Sequence, residues 1–206
     1  MLNIKEKISL FFLALIVRGV FLFQWVKTPF FISPQTDATI HHQWALEILK
    51  NGIWRETAFY QSPFYPYLLA LLYKIFGVQP LLISVIQIFL DAATCVIIYS
   101  IAKKLFGRKE ALCAGILSAL YAPYIFFATP LLKEVWLIFC LAIFIRLLLE
   151  TGEGAKSYIV FFAGVALGLC TLSRGQMLLF APAVCIYWFF AQKHRLMKRY
   201  LLFVLA

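Results

Sequence analysis

Leu81 to Ile101 reads LLISVIQIFLDAATCVIIYSI, a run of 21 residues whose one charge is Asp91. As a helix rising about 1.5 Å per residue it reaches about 30 Å, the depth of a hydrocarbon core. The rest of the chain has the same character. Of 206 residues, 64% are apolar and 14% charged, with a mean hydropathy of +0.89. Soluble domains are nearer half apolar and a quarter charged, and a sphere of this size has too little interior for the excess. That excludes a soluble globular domain and a disordered chain. The expected fold class is all-α: a polytopic membrane helix bundle, residues 1–206 forming a single membrane domain.

Outward from that run, Ile8 to Trp25 precedes it, interrupted only by Arg18. Ala111 to Ala128, Leu131 to Leu149, Tyr158 to Leu172 and Met177 to Ala191 follow, the last two meeting at Ser173-Arg174-Gly175. These predict about six transmembrane helices, and Tyr200 to Ala206 reads as the start of a seventh. Phe64 to Phe76 is apolar too, but it is short, contains Lys74 and ends at Gly77. It suits the interface rather than the core.

The net charge of +10 does not indicate nucleic acid, because the basic residues stand in short clusters between apolar runs. With the N-terminus cytoplasmic, the inner segments carry Lys5, Lys7, Lys103, Lys104, Arg108, Lys109, Arg146, Lys156, Lys193, Arg195, Lys198 and Arg199. The outer segments carry half as many: Lys27, Lys50, Arg55, Lys74, Lys133 and Arg174. This asymmetry follows the positive-inside rule and predicts a multi-pass protein of the plasma (inner) membrane. The first apolar run has no small-residue cleavage site before Lys27 and reads as a retained anchor. Cys95, Cys113, Cys140, Cys170 and Cys185 lie in apolar stretches without CxxC spacing, so they read as small hydrophobes.

This topology leaves one large extracytoplasmic loop, residues 26–80, with two interfacial helices expected in it. Ser33-Pro34-Gln35-Thr36-Asp37 reads as a helix start, with Ser33 or Thr36 as cap, and Asn51-Gly52 as its stop. Ile40, Trp44 and Ile48 recur every four residues and predict the buried face, on which Asp37 and His41 also fall. Two readings of Asp37 stand side by side: a carboxylate stabilised by a helix N-terminus, and an acid turned toward a site. Adjacent helical histidines diverge by about 100° and do not share a metal, so His41 and His42 read as structural. Lys133 and Glu134 begin the helix after Pro130, and Arg174 stands in an outer turn. Within the spans, Arg18 and Asp91 lie at equal depth from opposite ends, an expected intramembrane pair that Gln87 would complete.

One ordered set of segments carries a resemblance. It runs from Asp37 and its helix through Ser62-Pro63-Phe64-Tyr65-Pro66-Tyr67-Leu68-Leu69-Ala70-Leu71-Leu72-Tyr73-Lys74-Ile75-Phe76-Gly77. It continues with Ile101-Ala102-Lys103-Lys104-Leu105-Phe106-Gly107-Arg108 and with Gly164-Val165-Ala166-Leu167-Gly168-Leu169-Cys170-Thr171-Leu172-Ser173-Arg174. From Ile8 to about Arg199 the chain resembles the N-terminal half of a GT-C glycosyltransferase. The branch is the bacterial one that includes protein O-mannosyltransferase-like and RgtA/B/C/D-like enzymes, with the dolichyl-phosphate-mannose-protein mannosyltransferases. The His-Pro-Pro usual before the aromatic run is Ser62-Pro63-Phe64 here. The resemblance implies a sugar donor on a polyprenyl phosphate and a hydroxyl acceptor on a lipid, glycan or protein. It implies Asp37 as base with inversion, Glu134 orienting the acceptor or tuning Asp37, and Arg174, with Lys133 second, on the lipid phosphate. No cofactor is implied, and a divalent metal is not indicated. A non-catalytic relative or scaffold subunit is the alternative, and the six spans show no inverted repeat that would suggest a transporter.

Overall fold

The computed structural model describes residues 2–33, 36–54, 61–151 and 156–191, which are helical with short connections. The basic cluster 193–199 and the apolar run 200–206 lie outside the described residues. In chain order the helices are α1 (Leu2–Trp25), α2 (Pro29–Ile32), α3 (Asp37–Asn51), α4 (Phe64–Phe76) and α5 (Pro80–Leu105). After these come α6 (Arg108–Leu120), α7 (Ala122–Phe127), α8 (Glu134–Leu148), α9 (Ser157–Ser173), a 3₁₀ turn (Gly175–Leu179) and α10 (Phe180–Ala191). Packing divides the chain into two compact units, residues 1–139 and 140–206.

Among the described residues, Ile4–Trp25 and Pro80–Leu105 are long and apolar enough to cross a membrane. The other apolar helices are shorter than these two, 15 residues in α8 and 17 in α9. The run 111–128 is not one helix: α6 stops at Leu120, Tyr121 is extended, and α7 restarts with Pro123 in its first turn. Proline brings no N–H and clashes with the preceding turn, so the helix breaks there.

In the first unit α1, α5 and α6 pack through small residues. Ala14, Ala92, Cys95 and Ala119 form one buried cluster, and Leu10, Tyr99, Ala102 and Ala111 another. Small side chains bring helix backbones close where dispersion, not the hydrophobic effect, drives association. Gly115 marks the tightest approach, since a Cβ there would lie 2.7 Å from Leu10 Cδ1. At one end of this trio the Tyr99 hydroxyl and Arg108 both donate to the Glu6 carboxylate.

Helices α3 and α4 pack on each other and on the start of α5. Ala38, Ala45, Tyr65, Leu69, Ala70, Tyr73, Ile83 and Leu131 are their common core. The buried face of α3 is Ala38, His41, Trp44 and Ala45, while Ile40 is 38% exposed. The face is therefore turned from the one that Ile40, Trp44 and Ile48 mark. The reason is steric: Ala38 and Ala45 admit the rings of Tyr65 and Tyr73, which isoleucines would hold away. Both helices end at glycines with positive φ, Gly52 (89°) and Gly77 (80°), whose N–H groups close the last turn.

The second unit packs Phe144 against Val160, Ala163, Ala166 and Leu167 of α9 and Val184 of α10.

Candidate active site

The segment between α7 and α8 has little secondary structure and is held by side chains from α5 and α4. Ser84 Oγ donates to the Thr129 carbonyl at 2.6 Å. Gln87 Nε2 donates to the Pro130 carbonyl at 2.7 Å, and Gln87 Oε1 accepts from the Tyr65 hydroxyl at 2.7 Å. Ser84, Gln87 and Tyr65 are all buried. Backbone groups outside helices must find partners when buried; Ser84 and Gln87 supply them, and Tyr65 holds the Gln87 amide in place. The placement of Lys133 and Glu134 follows, because both are half-buried directly after the anchored carbonyls. Gln87 thus belongs to this outer network and not to the Arg18–Asp91 pair.

Asp37 is the first residue of α3 and is exposed. Its Oδ1 accepts from Gln61 Nε2 at 3.0 Å, which ties α3 to the stretch before α4. The preceding Thr36 has a φ of 53°, a left-handed conformation uncommon for threonine, and its side chain makes no capping bond. Of the two expected caps, Thr36 holds the N-cap position, and its carbonyl accepts from the Ile40 N–H at 3.3 Å.

Beside Asp37 is an apolar cavity of about 400 Å³. Thr36 and Ala38, the two neighbours of Asp37, line it, as do Trp25, Phe31, Phe126 and Phe127. Pro130, Leu131 and Leu132 complete its wall on the Lys133 side. The cavity wall is therefore mainly apolar, and Asp37 itself is not part of it.

Electrostatics connects the charged residues. Burial pushes the His41 imidazole down to about 4; the Lys133 charge adds to that shift and the Asp37 carboxylate opposes it. His41 is neutral at pH 7 and fully buried, and neither ring nitrogen has a hydrogen-bond partner. Its ring meets Tyr65 edge-on, centroids 5.2 Å apart. Burial raises the Tyr65 phenol well above its ordinary range, with Tyr73 and the Glu134 charge adding to it. His42 is lowered by burial and its Nδ1 lies 2.8 Å from the Tyr73 hydroxyl. Asp37, Lys133 and Glu134 thus act on one buried pair of rings. Among the described residues no three His, Cys, Asp or Glu side chains are grouped to hold a metal.

Arg174 belongs to the second unit. It is exposed, follows α9, and its N–H donates to the Cys170 carbonyl at 2.8 Å. Arg18 and Asp91 are both buried, and Arg18 Nε donates to Asp91 Oδ2. Sequence reasoning missed Gln61, Tyr65 and Ser84 as organising residues and assigned His41 to plain structure. The usable signal for His41 was its position one turn after Asp37.

Residues 60–206 match the family described as "Dolichyl-phosphate-mannose-protein mannosyltransferase". The match takes in Tyr65, Gln87, Lys133, Glu134 and Arg174, and begins after Asp37. No curated protein and no solved structure is similar enough to the chain to count as a match.

Proposed function

The chain belongs to the dolichyl-phosphate-mannose-protein mannosyltransferase family, membrane glycosyltransferases of the GT-C type. From that premise we propose that it transfers a sugar from a polyprenyl phosphate to a hydroxyl of a lipid, glycan or protein, with inversion. The transfer takes place on the extracytoplasmic side of the plasma membrane, the N-terminus lying in the cytoplasm.

The observation that carries this reading is an apolar cavity of about 400 Å³ lined by Thr36 and Ala38, the residues on either side of the exposed Asp37. A prenyl chain needs an apolar channel and a sugar needs polar surroundings, and the two meet here. In the proposed reaction the acceptor oxygen attacks the anomeric carbon while Asp37 takes its proton. The bond from that carbon to the phosphate oxygen breaks, and its electron pair leaves with the lipid phosphate. Charge grows on that phosphate, so a nearby cation accelerates the step. Lys133 is our choice within the first unit, and Arg174, whose planar fork suits phosphate, within the second. Glu134 orients the acceptor.

The test is transfer from radiolabelled polyprenyl-phosphate sugars in membranes containing the protein. Asp37→Asn keeps the shape and the Gln61 contact but removes the base, so the rate falls by about 10²–10⁴-fold. Product with retained anomeric configuration, or full activity in Asp37→Asn, overturns the mechanism. Absence of transfer by the wild-type chain from any such donor favours a non-catalytic relative.

A further inference from the structure

The buried Arg18 does more than face Asp91. Its guanidinium has five N–H donors, and all five have acceptors on three helices. Nε donates to Asp91, Nη1 to the carbonyls of Ala14 (3.3 Å) and Ala119 (2.7 Å), and Nη2 to the Ser118 carbonyl (3.3 Å) and Cys95 Sγ (3.5 Å). The carbonyls of Ser118 and Ala119 are the ones a continuous helix would satisfy with the N–H groups of residues 122 and 123. Residue 123 is proline and has none, and the extended Tyr121 separates Ala122 from α6. Carbonyls left open inside a membrane bundle are costly, so such breaks survive only where other groups replace the lost donors.

The break has a consequence for the cavity. It redirects the chain into α7, where Phe126 meets Trp25 edge-on at 5.6 Å and Phe21 at 6.3 Å between centroids. Phe126, Phe127 and Trp25 are cavity walls. We propose that Arg18 is a positioning residue: its fork holds the break between α6 and α7, and so sets the aromatic wall of the cavity. Charge balance with Asp91 alone would not need this geometry. A lysine ammonium has three donors on a flexible stem and cannot span a carboxylate and carbonyls on two further helices. The functional meaning of the wall rests on the proposed carrier-binding role of the cavity.

The experiment uses the full chain in nanodiscs with Phe127→Cys as reporter, which leaves the Phe126–Trp25 contact in place, its maleimide labelling rate read by peptide mass spectrometry. A second readout is photocapture of a benzophenone-bearing prenyl phosphate. Arg18→Leu with Asp91→Leu leaves no lone buried charge, so yield is close to the parent's. Position 127 then labels about fivefold faster, because Phe126 no longer holds α7 on Trp25. Arg18→Lys produces the same acceleration, and capture falls about tenfold in both variants. Labelling in the double variant within about twofold of the parent overturns the proposal. Should the double variant accumulate poorly, adding Pro123→Ala returns a donor to the Ala119 carbonyl and raises yield, and an unchanged yield overturns the proposal equally. Capture by the parent judges the carrier reading separately: a parent that captures nothing refutes that reading, while the labelling arm still decides the role of Arg18.

Discussion

Removing the Gln87 amide separates a polar network from simple packing. Gln87 is fully buried and joins Tyr65 on α4 to the Pro130 carbonyl, with two bonds of 2.7 Å. Gln87→Leu deletes two hydrogen bonds worth about 1 kcal/mol each and leaves a buried hydroxyl and carbonyl at about 1 kcal/mol or more apiece. The expected loss is about 3–5 kcal/mol, a large share of a typical stability of about 5–15 kcal/mol. At about 2–4 °C per kcal/mol for a chain of this size, the melting temperature in detergent falls by about 6–20 °C. Tyr65→Phe removes one of the same bonds and orphans Gln87 Oε1, for about 2 kcal/mol. Because both changes break the same bond, the double variant is milder than the sum by about 1–2 kcal/mol. The assay is a double-mutant cycle by thermal unfolding, with transfer activity measured alongside. Activity falls further than stability, since the segment ahead of Lys133 and Glu134 loses its anchor. Additivity within about 0.3 kcal/mol refutes the network, and intact activity in folded Gln87→Leu refutes its link to the site.

Two further outcomes follow from buried groups. His41 holds its proton with a pKa of about 4, below the ordinary 6.5, so the unfolded chain binds more protons between those values. Stability therefore falls as pH drops through that window, by about 2 kcal/mol between pH 7 and pH 5, and His41→Phe flattens that part of the melting-temperature profile. A profile of equal slope in both proteins refutes the burial argument. At Gly115 a Cβ meets the flexible end of Leu10, so Gly115→Ala costs less than about 1 kcal/mol, whereas Gly115→Leu costs about 1–3 kcal/mol. Equal melting temperatures for the two variants would show that α1 and α6 do not approach as closely as 2.7 Å requires.

The helices of the outer loop were legible because their ends carry local signals. Pro63 and Gly77 bound α4, and Asn51-Gly52 closes α3, each by backbone chemistry that needs no partner. Equal depth on two apolar runs pointed to Arg18 and Asp91. The face of α3 was not legible, because Ile40 and Ala38 compete for burial and the deciding groups, Tyr65 and Tyr73, lie on another helix. The break at Tyr121 had a visible signal in Pro123, but membrane helices tolerate proline when neighbours satisfy the freed carbonyls. Whether such a neighbour existed depended on Arg18, about a hundred residues earlier. Gln87 was misassigned for a related reason: one turn from Asp91 on the helix, it serves a different segment.

The polar residues of α5 make the same point from the other side. Ser84, Gln87 and Asp91 recur at intervals of three and four, on one stripe of a largely apolar helix, and all three are buried. A helix with only lipid and apolar neighbours has no use for such a stripe, because each buried polar group costs free energy until it is paired. Every member is paired with a place where a neighbouring helix is interrupted. Ser84 takes the Thr129 carbonyl, Gln87 the Pro130 carbonyl, and Asp91 orients the arginine that takes Ser118 and Ala119. Thr129, Pro130, and Phe126 and Phe127 of α7 line the cavity. The long helix α5 therefore works as a frame whose polar stripe fixes irregular backbone around that cavity. Buried irregular backbone must have its carbonyls paired, and the stripe does so from within the fold.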